Sequence, residues 1–580
     1  MNTVLLSSLC SLYLCGEIAG APPNVLVILS DDQGWGDLSL HGNADVRTPN
    51  LDALATAGAR FERFFVQPVC SPTRAEFLTG RYHPRTGVRG VTTGGERLNL
   101  DETTLADCFK AAGYATGCFG KWHNGSQYPY HPLGRGFGEF YGFTSGHWGD
   151  YFSPPLDHDG RAVQGKEYIT DDLTDRAVGF IDRHRDKPFF CYVPYNVPHS
   201  PMQVPDADWD RFKDKKLTLG PTAGKPDLPH TRAALAMVEN MDRNVGRLLA
   251  ALAERKLTDN TIVVFFHDNG PNGNRFTGGL KGRKGSTDEG GVKSPLFVRW
   301  PGTVPAGLKV EPVAGAIDLL PTLLDLCGVK RVGERPLDGI SFAPGLRGGA
   351  FSPPPRKLVQ HWAGRVSVRA QSHRLDHTGR LYDTDADPGQ TTDLTAMLPA
   401  VVADLKATAD AWRRDVLAAT QGRDDRPFPV GRGDFPTVLP ARDGVPHGGV
   451  KRSAQAPNCS YFTAWAKPTD AMTWDVEAAA GRYEAIVHYT CPAADVGSAV
   501  ELTTGAAKWA GTVTPAHDPP ARGAENDRTP RVGESLVKDF RPLSLGVADM
   551  PAGRFTLSLR ATTVAGRQVA EVRAVELVRR

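Results

Sequence analysis

Asn24-Val25-Leu26-Val27-Ile28-Leu29 runs directly into Ser30-Asp31-Asp32, and this stretch decides the fold class. An unbroken aliphatic run with no polar alternation is what a strand buried on both faces requires. Thr261-Ile262-Val263-Val264-Phe265-Phe266 and Pro188-Phe189-Phe190-Cys191-Tyr192-Val193 read the same way, and Tyr114-Ala115-Thr116-Gly117-Cys118-Phe119 is a weaker fourth. Helical patterns separate these runs from Asn24 to about Thr420, so the expected class is α/β, a mostly parallel sheet flanked by helices. Each run gives way to titratable or metal-binding side chains. Asp31 and Asp32 come after the first; His267, Asp268, Asn269 and Gly270 come after the second. The loop with His199 comes after the third, and Lys121, Trp122 and His123 come after the fourth. Open α/β sheets bind ligands at the carboxyl ends of their strands, so these groups are expected to share one rim.

Cys70-Ser71-Pro72-Thr73-Arg74 lies just past the apolar stretch Phe64-Phe65-Val66. Ser71 is a favoured N-cap and Pro72 suits a first helical position, so a helix is expected over Pro72 to Leu78. Residue 70 then sits at the positive end of the helix dipole, where an anion is favoured. Arg74, one turn on, can reach the same place. Asp31, Asp32, Asp268 and Asn269 are oxygen donors, a set that suits Ca²⁺ or Mg²⁺ better than zinc.

The pentapeptide resembles the sulfatase maturation motif Cys-x-Pro-x-Arg. Gly113-Tyr114-Ala115-Thr116-Gly117-Cys118-Phe119-Gly120-Lys121-Trp122-His123 resembles the second signature of the same family over its whole length. Two signatures at the right separation make a chance match implausible. The resemblance spans Asn24 to about Leu417. It implies an alkaline-phosphatase-like fold and hydrolysis of sulfate monoesters on a sulfated carbohydrate or an aryl sulfate. It also implies that a formylglycine-generating enzyme oxidises Cys70 to formylglycine, whose hydrate attacks sulfur. Arg74, Lys121 and Lys284 would supply positive charge, with the metal held by Asp31, Asp32, Asp268, Asn269 and the modified residue 70. His123 would take a diol proton so that the sulfated intermediate collapses, and His199, in Val197-Pro198-His199-Ser200-Pro201, would protonate the leaving alcohol. Lys284 is carried over from Gly282-Arg283-Lys284-Gly285, with Lys281 and Arg283 as close competitors. Ser145 is a weaker match for a sulfate-assisting serine, and His147 and Trp148 fit subsite residues.

The 580 residues carry a net charge of +2, which gives no electrostatic case for nucleic acid. No apolar run is long enough to span a membrane. Val4 to Cys15 followed by Ala19-Gly20-Ala21 resembles a signal peptide over 1–21, atypical in lacking a basic start, so export to the periplasm or medium is expected. The expected division is a catalytic α/β domain over 22–350, a small α+β subdomain over 351–420, a Gly/Pro-rich linker over 421–457 and a β-sandwich over 458–580. Cys459 and Cys491 are available for a disulfide in an exported protein. Trp465, Trp474 and Tyr483 are candidates for a sugar platform on the sandwich, against a plain core role. Two other functions stay open: a phosphate or phosphonate monoester hydrolase of the same superfamily, and a glycan-binding protein with degenerate catalysis.

Overall fold

The computed structural model describes residues 21–219, 224–420 and 424–580. The leader-like segment before residue 21 lies outside the described residues. Four strands form the centre: β1 (Asn24–Ser30), β2 (Ala115–Lys121), β3 (Phe189–Pro194) and β4 (Thr261–His267). They lie side by side in the order β4-β1-β3-β2, all parallel, within a 10-stranded sheet. Glu139–Phe143 extends the parallel set beyond β2, and antiparallel pairings appear on both flanks.

The apolar runs feed two cores at once because side chains alternate across a strand. Leu26, Ile28, Val263 and Phe265 face one core, which is closed by helices Pro49–Thr56, Ile169–Arg183 and Leu228–Glu254. Val25, Val27, Leu29, Val264 and Phe266 face the other. That side is closed by α1 (Cys70–Thr79) and by helices Leu105–Ala111 and Leu319–Cys327. Helix α1 starts two residues earlier than expected. Val69 is its N-cap residue, so Ser71 is helical and makes no cap bond. Pro72 becomes the third helical residue, still among the positions whose N–H has no intrahelical acceptor.

A four-stranded antiparallel sheet, Leu358–Trp362, Arg365–Arg369, His373–Leu375 and Leu381–Asp383, comes after the main sheet. Helix Pro399–Trp412 packs on it through Leu405, Ala409 and Trp412.

The C-terminal region is a sandwich of two six-stranded sheets, and it begins earlier than expected. Phe428–Val430 and Val445–His447 both pair with Ala471–Ala478, while Thr437–Pro440 pairs with Glu571–Arg579. The expected linker is therefore largely part of the sandwich. Its strands are short and carry prolines, which edge positions tolerate. Phe428, Val430, Leu439 and Ala441 are buried in the sandwich core. Trp465, Trp474 and Tyr483 are buried there too, so they form core and not an exposed sugar platform. Cys459 and Cys491 are both free thiols; Cys459 instead donates to the His147 carbonyl at 3.0 Å.

Candidate active site

The carboxyl ends of the four central strands converge. Ser30 of β1 is in register with His267 of β4, so the next residues of both strands emerge together. The Asp268 N–H donates to the Ser30 carbonyl at 3.1 Å, and the Asp32 N–H donates to Asp268 Oδ1 at 3.2 Å. The Asp31 N–H donates to the Val197 carbonyl at 3.1 Å, which ties the His199 loop to the same rim. Asp32 and His123 each have φ of 61°, in the left-handed region that Asp and His tolerate better than most residues.

Three cations meet three carboxylates here. Arg74 places one terminal nitrogen 2.8 Å from Asp268 Oδ2 and 3.8 Å from Asp31 Oδ2, and its other donates to the Lys121 carbonyl at 2.7 Å. Lys121 pairs with Asp31. Lys284 lies 2.7 and 2.8 Å from the two Asp32 oxygens. Its loop is drawn in by the Lys284 N–H on the Pro271 carbonyl at 3.1 Å and the Gly285 N–H on the Pro68 carbonyl at 2.8 Å. That fold needs Gly291, because a Cβ there would lie 2.0 Å from the Ser286 carbonyl oxygen. Lys281 points elsewhere, over the Tyr382 ring. Burial alone would raise the Asp31 and Asp32 carboxyls, but Lys121 beside one and Lys284 beside the other hold both below the usual range. Burial, reinforced by the Asp31 charge, pushes Asp268 up to about 7.

Cys70 is 3% exposed, at the first position of α1, and burial pushes its thiol up to about 12. Ligand atoms of Asp31, Asp32, Cys70 and His199 all lie within 4.8 Å of one another. Asp268 turns its oxygens to Arg74 and the Asp32 N–H. The Asn269 amide donates to Asp32 at 2.9 Å, while Asn269 Oδ1 and Asp31 Oδ1 are buried with no partner. Two orphaned buried oxygens within an oxygen-rich set fit a hard cation such as Ca²⁺ or Mg²⁺.

The two histidines are held by backbone carbonyls, which fixes their proton positions. His123 Nε2–H donates to the Val91 carbonyl at 2.8 Å, and its Nδ1 is buried with no partner. Burial holds this imidazole neutral, well below the usual histidine range. His199 Nδ1–H donates to the Ser200 carbonyl at 2.7 Å and leaves Nε2 3.6 Å from Asp32 Oδ2. Tyr151 Oη bonds the His199 and Ser200 carbonyls at 3.0 and 2.9 Å, fixing the loop that carries the ring. Ser145 is buried and spends its hydroxyl proton on the His147 carbonyl at 2.8 Å.

A sulfatase family model matches residues 23–329. The chain belongs to the sulfatase family. Dog N-acetylgalactosamine-6-sulfatase is 32% identical over 379 residues, covering 58% of this chain and 69% of that protein. Human arylsulfatase A is 32% identical over 441 residues, covering 67% and 82%. The crystal structure of Ps i-CgsB in complex with k-i-k-neocarrahexaose superposes with a TM-score of 0.62 at 32% identity, covering 68% of this chain and 93% of that one. Like its relatives, this sulfatase is a sulfuric ester hydrolase of alkaline-phosphatase-like fold.

The sulfatase site also holds groups that no sequence motif singled out. The Asn196 side chain is buried beside the His199 loop with neither amide atom partnered. Asn458 and Glu534 reach the rim from the sandwich: Asn458 Nδ2 lies 3.3 Å from His147 Nδ1, and Glu534 accepts a hydrogen bond from Ser200. These contacts span more than 300 residues, so no local spacing signals them.

Proposed function

We propose that this sulfatase removes sulfate from a sulfated carbohydrate, using formylglycine made from Cys70 as nucleophile. The observation that carries the reading is Cys70 at the start of a buried helix, within the cluster of Asp31, Asp32 and His199 and beside three cations. A thiol held at about 12 is a poor thiolate nucleophile at neutral pH, so the unconverted Cys70 side chain is ill suited to attack sulfur itself. At 3% exposure it is accessible to a formylglycine-generating enzyme only before the chain folds around it.

Asp31, Asp32, Asp268 and Asn269, with residue 70, would hold one Ca²⁺ or Mg²⁺ ion. Such an ion lowers the pKa of a hydroxyl it binds and offsets charge on sulfate oxygens. Arg74, Lys121 and Lys284 bind and orient the sulfate, where fixed charges in a dry site are most effective. His199 serves as the acid in its imidazolium form: Nδ1–H stays on the Ser200 carbonyl, and a second proton on Nε2, opposed by burial and favoured by the Asp32 charge, passes to the leaving sugar oxygen. His123 offers its free Nδ1 to take the proton whose loss regenerates the aldehyde with release of sulfate. Carbohydrate is the favoured leaving group because an N-acetylgalactosamine-6-sulfatase and a structure with bound neocarrahexaose are among the relatives. The leader-like start supports export.

The test is sulfate release, read by ion chromatography, from a panel of sulfated glycans and 4-nitrophenyl sulfate. The protein is co-expressed with a formylglycine-generating enzyme, and free phosphate is measured from matched phosphoesters. Release that disappears in Cys70→Ala is the expected outcome. Phosphate release without sulfate release from protein carrying the aldehyde would move the assignment to a phosphoester hydrolase.

A further inference from the structure

The sandwich does not stand apart from the catalytic domain. Its turn Pro457–Cys459 and its loop 522–537 pack on the His147 loop and on the segment that carries His199. Asn458 Nδ2 lies 3.3 Å from His147 Nδ1, and Cys459 donates to the His147 carbonyl. A Cβ on Gly146 would sit 2.6 Å from His123 Nε2 and 2.7 Å from Asn458 Nδ2, so any larger residue there would have to displace one or both side chains. Past His199, Ser200 donates to Glu534, while Gln203 donates to the Gly523 carbonyl at 2.7 Å and to Asp527 at 2.9 Å. Arg528 reaches back to the Val204 carbonyl at 2.6 Å.

Several groups at this junction are arranged for a ligand. The His147 ring stacks on His199 at 5.9 Å, and its Nε2 is buried with no partner, as is Asn458 Oδ1. A cleft of ≈ 490 Å³ on the sandwich is lined by Asp527, Arg528, Thr529, Arg531 and Glu534. Its other charges are paired: Arg531 with Asp527 at 2.7 Å, and Arg528 with Asp206 at 2.5 Å. Glu534 forms no ion pair with a lysine or arginine among the described residues; its partners are the Ser200 hydroxyl and the Gly533 N–H. Among the described residues it is thus the cleft's one carboxylate without a lysine or arginine partner, and it is bonded to Ser200, the residue next to His199.

We infer that the sandwich forms the leaving-group wall of the active site, and that Glu534 determines specificity there by accepting hydrogen bonds from the hydroxyls of a neutral sugar unit and repelling a unit that carries a carboxylate or second sulfate. An ionised carboxylate accepts hydrogen bonds and donates none, so a hydroxyl satisfies it and an anion cannot. In a partly desolvated cleft a second anion facing it is a built-in penalty against the wrong substrate. This rests on the sulfatase reading for the direction in which the leaving sugar lies. It gives the sandwich a part in the reaction, in place of either a remote sugar-binding module or an inert appendage.

The test uses full-length protein and two trisaccharides. One carries a sulfated N-acetylgalactosamine flanked by galactose; the other has glucuronic acid in place of the galactose. Binding is measured by calorimetry in a Cys70→Ala background, where turnover does not interfere. The galactose sugar is expected to bind about tenfold more tightly, one charge-assisted hydrogen bond's worth. Adding Glu534→Gln is expected to erase that preference, chiefly by weakening the galactose sugar and relieving the glucuronic acid one. In protein with Cys70 intact, the same substitution should lower kcat/KM on the responding glycan about tenfold more than on 4-nitrophenyl sulfate, mainly through KM. Equal affinity for the two sugars before the Glu534 change, including no binding of either, overturns the inference. So does an equal loss on glycan and aryl sulfate, which would make Glu534 a support for His199 through Ser200. The sulfatase reading fails separately, if protein carrying the aldehyde releases no sulfate from the glycan panel or from 4-nitrophenyl sulfate.

Discussion

Lys284 and Lys281 differ by three positions, and only geometry separates them. Lys284 reaches both Asp32 oxygens from a loop tied to the residues just before Cys70, whereas Lys281 lies over Tyr382, 3.9 Å from Asp288. Lys284→Ala should therefore lower kcat for sulfate release by about 100-fold, the usual cost of losing one fixed charge-stabilising donor. Lys281→Ala should change it by less than about threefold, in the range of an exposed surface ion pair. Equal losses in the two variants would remove Lys284 from the sulfate-binding set. The residue types of the site were legible because short signatures carry them: Cys70 to Arg74, Gly113 to His123, and the segments around His199 and Lys284. Proton positions were not legible. That His123 has its Nδ1 free, and His199 its Nε2, is decided only by which backbone carbonyl each ring meets.

Helix α1 is anchored at both ends, and its far end meets the small subdomain through two stacked histidines. The His83 and His361 rings lie 5.4 Å apart at 15°, and His83 Nδ1–H donates to the Val88 carbonyl at 2.8 Å. Glu76 of α1 accepts from the His83 N–H at 3.1 Å, and Gln67 links it to the Val359 carbonyl of the small sheet. Burial lowers His83 to about 3, and burial then the nearby Arg413 charge lower His361 to about 4. Both are neutral in the folded protein and protonate first in the unfolded chain, near 6.5. Their stabilising contribution is complete above pH 6.5 and is lost as pH falls towards 4 and 3. Glu76, raised well above its usual value by burial, acts in the opposite direction, so a single-site comparison is needed. Relative to wild type, His361→Gln should gain about 2–4 °C in Tm as pH is lowered from 6.5 to 4. A constant difference between the two proteins across that range would show that His361 does not titrate with folding. The four central strands were readable because strands buried on both faces keep no polar alternation. The strands between Phe428 and Arg452 were not. They are three or four residues long, or shorter, and Pro429, Pro440 and Pro446 gave them the composition of a linker.

At the scale of the whole molecule, the question is whether the sandwich is one cooperative body with the catalytic domain. If it forms a wall of the active site, it has to be. Arg97 is the strongest tie: buried, it donates to the Arg426 carbonyl at 2.6 Å, the Pro427 carbonyl at 2.7 Å and the Gly94 carbonyl at 2.9 Å, and it packs 4.4 Å from the Phe428 ring. Arg426 answers with bonds to the Arg97 carbonyl at 3.0 Å and Asn99 at 2.9 Å. Gln127 adds bonds to the Val438 carbonyl at 3.0 Å and Asp443 at 3.1 Å. No local pattern announces the contacts that cross to the sandwich, because they join residues more than 300 apart, which is also why the sandwich read as a separate module. Scanning calorimetry of the full chain should give a single endotherm. Arg97→Ala leaves the carbonyls of residues 426 and 427 without their donor, at about 1–3 kcal/mol each, and should lower the transition and split a sandwich component from it. The same variant should lose glycan turnover more than 4-nitrophenyl sulfate turnover, because loosening the wall moves Glu534 away from the leaving sugar while the sulfate-binding charges stay on the central strands and α1. Two resolved endotherms in the wild-type protein would instead mean that the sandwich folds and moves on its own, and a wall that moves independently of His199 cannot discriminate one leaving sugar from another.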